Sequence, residues 1–173
     1  MPLTIQGKLL PVLGNNPMKA RAVLYAEDEE NDVMLMRIAW NKAGVTNPLQ
    51  VVPDGEAAVA YLAGEGKYAD RGVYPMPCLM LLDLKLPKIP GLDVLKWIRA
   101  RPAIQTLQVV VLSSSDQPRD VHAAYARGAN AYLVKPANTE RLTEMALSLK
   151  DFWLSRAQPP PEWLQNEPPP DYA

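Results

Sequence analysis

The run Cys78-Leu79-Met80-Leu81-Leu82-Asp83 constrains this chain more than any other segment. Five mostly apolar residues without alternation describe a strand buried on both faces, the pattern of a parallel sheet covered by helices on each side. The carboxylate that closes the run then stands at the carboxyl end of the strand, the rim where open α/β sheets hold their ligands. A second run, Ala22-Val23-Leu24-Tyr25-Ala26, also ends in acid, Glu27-Asp28. Two strands thus deliver three carboxylates to one rim.

The rest of the chain alternates in step with these runs. Helical spacing covers about residues 31–43, with Gly44 as a C-terminal stop, and a short strand follows at 49–52. Asp54 can cap a helix carrying Ala57, Ala58, Tyr61 and Leu62, after which 64–77 reads as a longer loop. Beyond Asp83 come a helix at 92–101, a strand at 109–112, a helix at 119–127 stopped by Gly128, and a strand at 131–134. Asn138 or Thr139 opens the last helix, with Leu142, Met145, Ala146, Leu149 and Phe152 or Trp153 on one face. Five strands alternating with five helices specify a doubly wound parallel sheet. Right-handed crossovers then favour a flavodoxin-like (βα)5 fold with strand order 2-1-3-4-5, as a single domain over 19–157. Residues 1–18 read as a flexible N-terminal extension, and Met18 offers a second possible start. Residues 158–173, with Pro159, Pro160, Pro161, Pro168, Pro169 and Pro170, read as a proline-rich tail.

Composition narrows the partners. A net charge of −1 and a pI near 5.9 argue against a nucleic-acid footprint, which needs a basic face. The apolar runs fall short of a membrane span, and 1–17 holds no signal-peptide pattern, so a cytoplasmic protein is expected. The one cysteine, Cys78, lies inside a strand and reads as a small buried hydrophobe. The one histidine, His122, falls in a helix away from the rim.

At the rim, strand one supplies Glu27 and Asp28, strand three Asp83, strand four Ser113, Ser114 and Ser115, and strand five Lys135 before Pro136. Each carboxylate pair at 4 Å costs about 4 kcal/mol at an effective dielectric near 20. Either one acid takes up a proton or a cation moves in. Oxygen ligands without His or Cys select a hard ion, Mg²⁺ foremost. An Asp beside Mg²⁺ can attack phosphorus, with Lys135 as a second positive charge and Ser113 as a hydroxyl donor. The residues therefore describe a phosphoryl-accepting site.

The order Glu27-Asp28, Asp83, Ser113, Lys135-Pro136, with the segment Leu81-Leu82-Asp83-Leu84-Lys85-Leu86-Pro87-Lys88-Ile89-Pro90-Gly91, closely resembles the CheY-like receiver domain of two-component response regulators. The resemblance covers about residues 20–157. It implies that Asp83 is the phosphoacceptor and that Glu27, Asp28, Asp83 and the Lys85 backbone carbonyl hold Mg²⁺. It further implies that Ser113 and Tyr132 form a switch pair, that Lys135 contacts the phosphoryl group, and that the Lys135-Pro136 bond is cis. Glu27 stands where Asp is commoner, and Ser113 where Thr is common. The long loop before strand three and the ending Asp151-Phe152-Trp153-Leu154 look like the stand-alone regulators that partner bacterial phytochrome histidine kinases.

On this reading, phosphorylation draws Ser113 toward the new oxygens, Tyr132 rotates inward, and the face of helix four, strand five and helix five changes shape. That face is expected to bind a partner or a second copy, since Leu142, Met145, Leu149, Phe152 and Trp153 exceed one buried stripe. The residues after Ala157 leave no room for an output domain, so output is expected through protein contact or onward phosphorelay. Two alternatives are a phosphorylation-independent binding module and an Asp-nucleophile phosphatase. The phosphatase needs an acid two residues after the nucleophile, where Lys85 stands. The expectation is therefore a switch rather than an enzyme.

Overall fold

The computed structural model describes residues 21–156 and, before them, the backbone of two short strands, Thr4–Ile5 and Lys8–Leu9, paired antiparallel. The expected extension thus contains one small strand pair. The proline-rich tail lies outside the described residues.

The described chain alternates strand and helix: β1 (Val23–Ala26), α1 (Glu30–Lys42), β2 (Leu49–Val52), α2 (Gly55–Ala63), β3 (Leu79–Leu82), α3 (Gly91–Arg99), β4 (Gln108–Ser113), α4 (Pro118–Ala126), β5 (Ala131–Val134) and α5 (Thr139–Leu149). All neighbouring strands are parallel, in the order β2-β1-β3-β4-β5. The flavodoxin-like fold is therefore present, with element ends, apart from that of the last helix, within about two residues of those expected.

The apolar runs split into two cores by strand alternation. Leu24, Met80, Leu82, Val109 and Val111 face one core with Ala58, Leu62, Val94, Leu95, Ile98 and Ala124 of α2, α3 and α4. Val23, Tyr25, Leu79, Leu81, Val110 and Leu112 face the other with Met36, Ala39 and Trp40 of α1 and Leu142, Ala146 and Leu149 of α5. A run without polar interruption is what two apolar faces require.

Local chemistry sets the helix ends. Asp54 accepts the Ala57 amide at 2.7 Å and caps α2, and Asn138 accepts the Arg141 amide at 2.9 Å and caps α5. Gly91 begins α3 hard against the strand end, where an added Cβ would lie 2.1 Å from the Asp83 carbonyl oxygen. Only glycine allows the helix to start that close to the rim.

Three expectations need correction. The Lys135-Pro136 bond is trans, as are all peptide bonds among the described residues. Trans is the lower-energy X-Pro isomer by about 0.5–1 kcal/mol, and the Lys135 side chain reaches the rim from it. The apolar surplus expected on α5 is mostly core: Leu142 and Leu149 are buried, while Met145 and Trp153 pack against the core. Phe152 is exposed, and so is Leu147, which the sequence reading did not single out. Finally, the last helix does not run on as α-helix, because Lys150–Arg156 forms a π-helical segment.

Candidate functional site

The sheet ladder runs one residue past β1 and β3. Glu27 N–H donates to the Val52 carbonyl at 3.0 Å and Asp83 N–H to Ala26 at 3.1 Å. Beyond β5, Lys135 N–H donates to the Ser113 carbonyl at 2.8 Å. These bonds fix the three backbones from which the site is built, so the side chains converge without loop adjustment.

They converge on Lys135. Its Nζ donates to Glu27 Oε2 at 2.5 Å, Asp83 Oδ2 at 2.7 Å and Asp32 Oδ2 at 2.9 Å. All three ammonium protons are used. Carboxylate oxygens of Glu27, Asp28 and Asp83 lie within 4.8 Å of one another. Three acids, Glu27, Asp83 and Asp32, face the ammonium, and Asp28 stands beside Glu27 and Asp83, so the group of four carboxylates and one ammonium carries a formal surplus of three negative charges. Glu27 and Asp83 are buried.

The electrostatics follow from that surplus. Burial pushes the Glu27 carboxyl above the ordinary carboxylate range, opposed by bonds from Lys135 and the Glu29 amide and reinforced by Asp83. Burial lowers the Lys135 ammonium, but bonds to Asp83, Glu27 and Asp32 outweigh it and the net shift is upward. Tyr25, fully buried two residues before Glu27, donates its hydroxyl to Glu27 Oε2 at 2.9 Å. Burial first, then the Glu27 charge, raise that hydroxyl far above its usual value, so it remains a donor.

An all-oxygen donor set with uncompensated charge fits a hard divalent ion. Lys85 enters through its backbone N–H, which donates to Asp83 Oδ1 at 3.0 Å, while its side chain is exposed. Ser113 is wholly buried, and its Oγ accepts the Ser115 amide at 3.2 Å rather than meeting Asp83. Tyr132 is half-buried, and its hydroxyl donates to the Ser115 carbonyl at 2.8 Å. Ser113 and Tyr132 therefore meet through Ser115. The Ser115 hydroxyl in turn donates to Asp120 of α4 at 2.5 Å.

The sequence reading missed Tyr25 and Asp32. Tyr25 sits inside an apolar run, but its place two residues before Glu27 puts both on one face of the strand extension. Asp32 looks like an ordinary acid in a helix's first turn, and its position four residues after Asp28 was the only signal.

The response regulator receiver domain family model matches residues 23–147. The chain belongs to this family. Response regulator Rcp1 of Synechocystis is 36% identical over 140 residues, covering 81% of this chain and 92% of Rcp1. Response regulator RPA3017, described in red light signaling of R. palustris, superposes with a TM-score of 0.78 at 37% identity, covering 82% of this chain and 99% of that one. The phosphorylated cyanobacterial phytochrome response regulator RcpA gives 0.74 at 36% identity, covering 82% and all of that chain. Rcp1 has also been solved in a Mn²⁺-bound form, with a TM-score of 0.72 at 35% identity over 82% of this chain and 99% of that one. This chain is thus a receiver-domain response regulator of the Rcp1 type, a family that binds divalent metal and works with histidine kinases. Among the described residues no helix is long and apolar enough to cross a membrane.

Proposed function

We propose that the chain accepts a phosphoryl group from a histidine kinase onto Asp83 in a Mg²⁺-dependent step. The observation that carries this reading is the Lys135 ammonium 2.7 Å from Asp83 Oδ2, amid carboxylates of Glu27, Asp28 and Asp32. An Asp83 oxygen attacks the phosphorus of a phosphohistidine. The P–O bond forms as the P–N bond breaks, and the imidazole nitrogen keeps the electron pair and takes a proton from solvent. Mg²⁺, held by Glu27, Asp28, Asp83 and the Lys85 carbonyl, supplies charge neutralisation for the transferred group. Lys135 follows the charge onto the phosphoryl oxygens.

Ser113 then exchanges its bond with the Ser115 amide for one to a phosphoryl oxygen. Because Tyr132 and Asp120 hold the same Ser115, the shift reaches β5 and α4. Tyr125 of α4, Val134 of β5 and Leu147 of α5 are exposed. They form the face for a second copy or a protein partner. Nucleic acid and membrane are not partners on this reading, and the place of action is the cytoplasm. The relatives in red-light and phytochrome signalling support a phytochrome-type kinase as donor, with the unit acting over 19–157. Lys85 stands where a phosphatase would carry its acid, which favours a switch over a turnover enzyme.

The test is phosphotransfer from candidate histidine kinases with and without Mg²⁺, using Asp83→Asn as control. Labelling is expected to require both Mg²⁺ and Asp83. Labelling that survives the substitution would refute the assignment.

A further inference from the structure

The metal-dependent reading above leaves open how the rim chooses its ion, and Glu27 is the ligand whose freedom matters most. Its arm is one methylene longer than an aspartate's and can in principle chelate through both oxygens. A carboxylate offers about four lone-pair positions, two on each oxygen. Glu27 Oε2 accepts two donors, the Tyr25 hydroxyl at 2.9 Å and Lys135 Nζ at 2.5 Å. Its Oε1 accepts the Glu29 amide at 3.1 Å. One position therefore remains, on Oε1.

The two donors on Oε2 differ in permanence. Lys135 is shared with Asp32 and Asp83, and it is the group that follows charge onto an arriving phosphoryl group. The Tyr25 hydroxyl bonds to Glu27 alone among the described residues, and the side chain is fully buried in the core shared by β1, α1 and α5. Its hydroxyl stays on Oε2 whatever Lys135 does.

We propose that Tyr25 sets the metal preference of the rim by keeping Glu27 monodentate. This rests on the proposed metal site. Mg²⁺ demands near-ideal octahedral geometry and keeps several waters, which favours carboxylates that bind it through one oxygen each. Ca²⁺ takes six to eight oxygens and readily accepts a carboxylate by both. A Glu27 with Oε2 closed by a buried phenol suits the smaller ion and denies the larger one its bidentate ligand. Tyr25 is a positioning residue here, because it touches Glu27 and not the ion.

The experiment is isothermal titration of the full chain with MgCl₂ and, separately, CaCl₂, for wild type, Tyr25→Phe and Tyr25→Met. Thermal melts without metal accompany it, to verify folding. Phe keeps the ring and removes only the hydroxyl, and Met provides a second hydroxyl-free side chain should Phe misfold. Wild type is expected to prefer Mg²⁺. In the variants, Ca²⁺ affinity relative to Mg²⁺ is expected to rise about tenfold, the size of one charge-assisted bond. An unchanged ratio in folded variants, or both metals weakened in proportion, overturns the role of Tyr25 while leaving the metal site standing. Wild type that binds neither ion overturns both, and that failure is already visible before any substitution.

Discussion

Two kinds of cation site lie inside this molecule, and they are satisfied in opposite ways. Arg99 of α3 donates to the carbonyls of Gly128, Gln105 and Leu107 at 2.8–2.9 Å and to Asn130 Oδ1 at 2.9 Å. Arg71, in the loop before β3, donates to the carbonyls of Tyr61 and Leu62 at 2.8 Å and of Tyr74 at 3.2 Å. Both guanidinium groups sit among neutral dipoles. Lys135 sits instead among carboxylates. The pKa directions separate the two: burial lowers Arg99, whereas the carboxylates overcome burial and raise Lys135.

The difference lies in what each site can still respond to. A cation held by fixed carbonyls ties its segments together, and its neutral partners carry no net charge for an arriving ion to redistribute. Arg71 in this way closes the 64–77 loop over Tyr61, Tyr68 and Tyr74, whose rings pack at centroid distances of 5.1–5.9 Å. A lone ammonium facing three carboxylates, with Asp28 close by, leaves negative charge unmatched, and any arriving cation or phosphoryl group redistributes it. The first arrangement is a clamp and the second is a switch.

Removing each cation should separate those roles. Lys135→Met should lower phosphotransfer to Asp83 by about a hundredfold, the usual loss of one preorganised charge donor. It should also cost about 3 kcal/mol in urea unfolding at pH 7, because buried carboxylates lose their partner. Millimolar Mg²⁺ should recover part of that stability. Arg99→Met should cost about 2 kcal/mol, since the part-buried Leu107 and Gly128 carbonyls are left without donors, yet leave phosphotransfer at its original rate. If the arginine variant lost phosphotransfer while remaining folded, the division between clamp and switch would fail.

Asp32→Asn probes the outer edge of the switch. Its side chain is 39% exposed, so water screens the pair with Lys135. The expected loss is roughly 0.5 kcal/mol, and the labelling rate should stay within about threefold of wild type, because Glu27 and Asp83 keep the ammonium in place. A larger loss would move Asp32 from the edge into the working set.

The same contrast explains what could be read in advance. The five strands and the rim residues Glu27, Asp28, Asp83 and Lys135 were legible because a buried run that ends in charge is unusual locally. Asp32 and Tyr25 were not. An acid in a helix's first turn is accounted for by the helix dipole alone, and a tyrosine inside an apolar strand is accounted for by packing. Their roles exist only once three backbones bring Glu27 and Lys135 beside them. The α5 surplus misled because the π-helical end turns Trp153 and Leu154 onto the core while leaving Phe152 outside. Helical spacing could not anticipate that change of pitch.

The smallest effect is also the one with the cleanest sign. Glu27 has a raised folded-state pKa, so the folded protein binds its proton more readily than the unfolded chain does. Its linked stability is fully present below the ordinary value of 4.5 and is lost as pH rises through the higher folded value. Lys135 titrates above its ordinary 10.5 and Asp54, held low by Lys88 and the Ala57 amide, titrates below 3.8. In the window from pH 4.5 up through its raised value, Glu27 is therefore the one of these three groups that changes charge. Metal-free wild type should gain a modest increment of stability as pH falls across that window, superimposed on the general loss from surface carboxylates. Glu27→Gln, neutral throughout, should lack the increment, so the wild-type-minus-variant difference in urea unfolding should slope upward toward acid. A difference that is flat, or that slopes toward alkali, would mean that Lys135 satisfies the Glu27 charge fully. The rim would then hold its charge as tightly as the arginine clamps do.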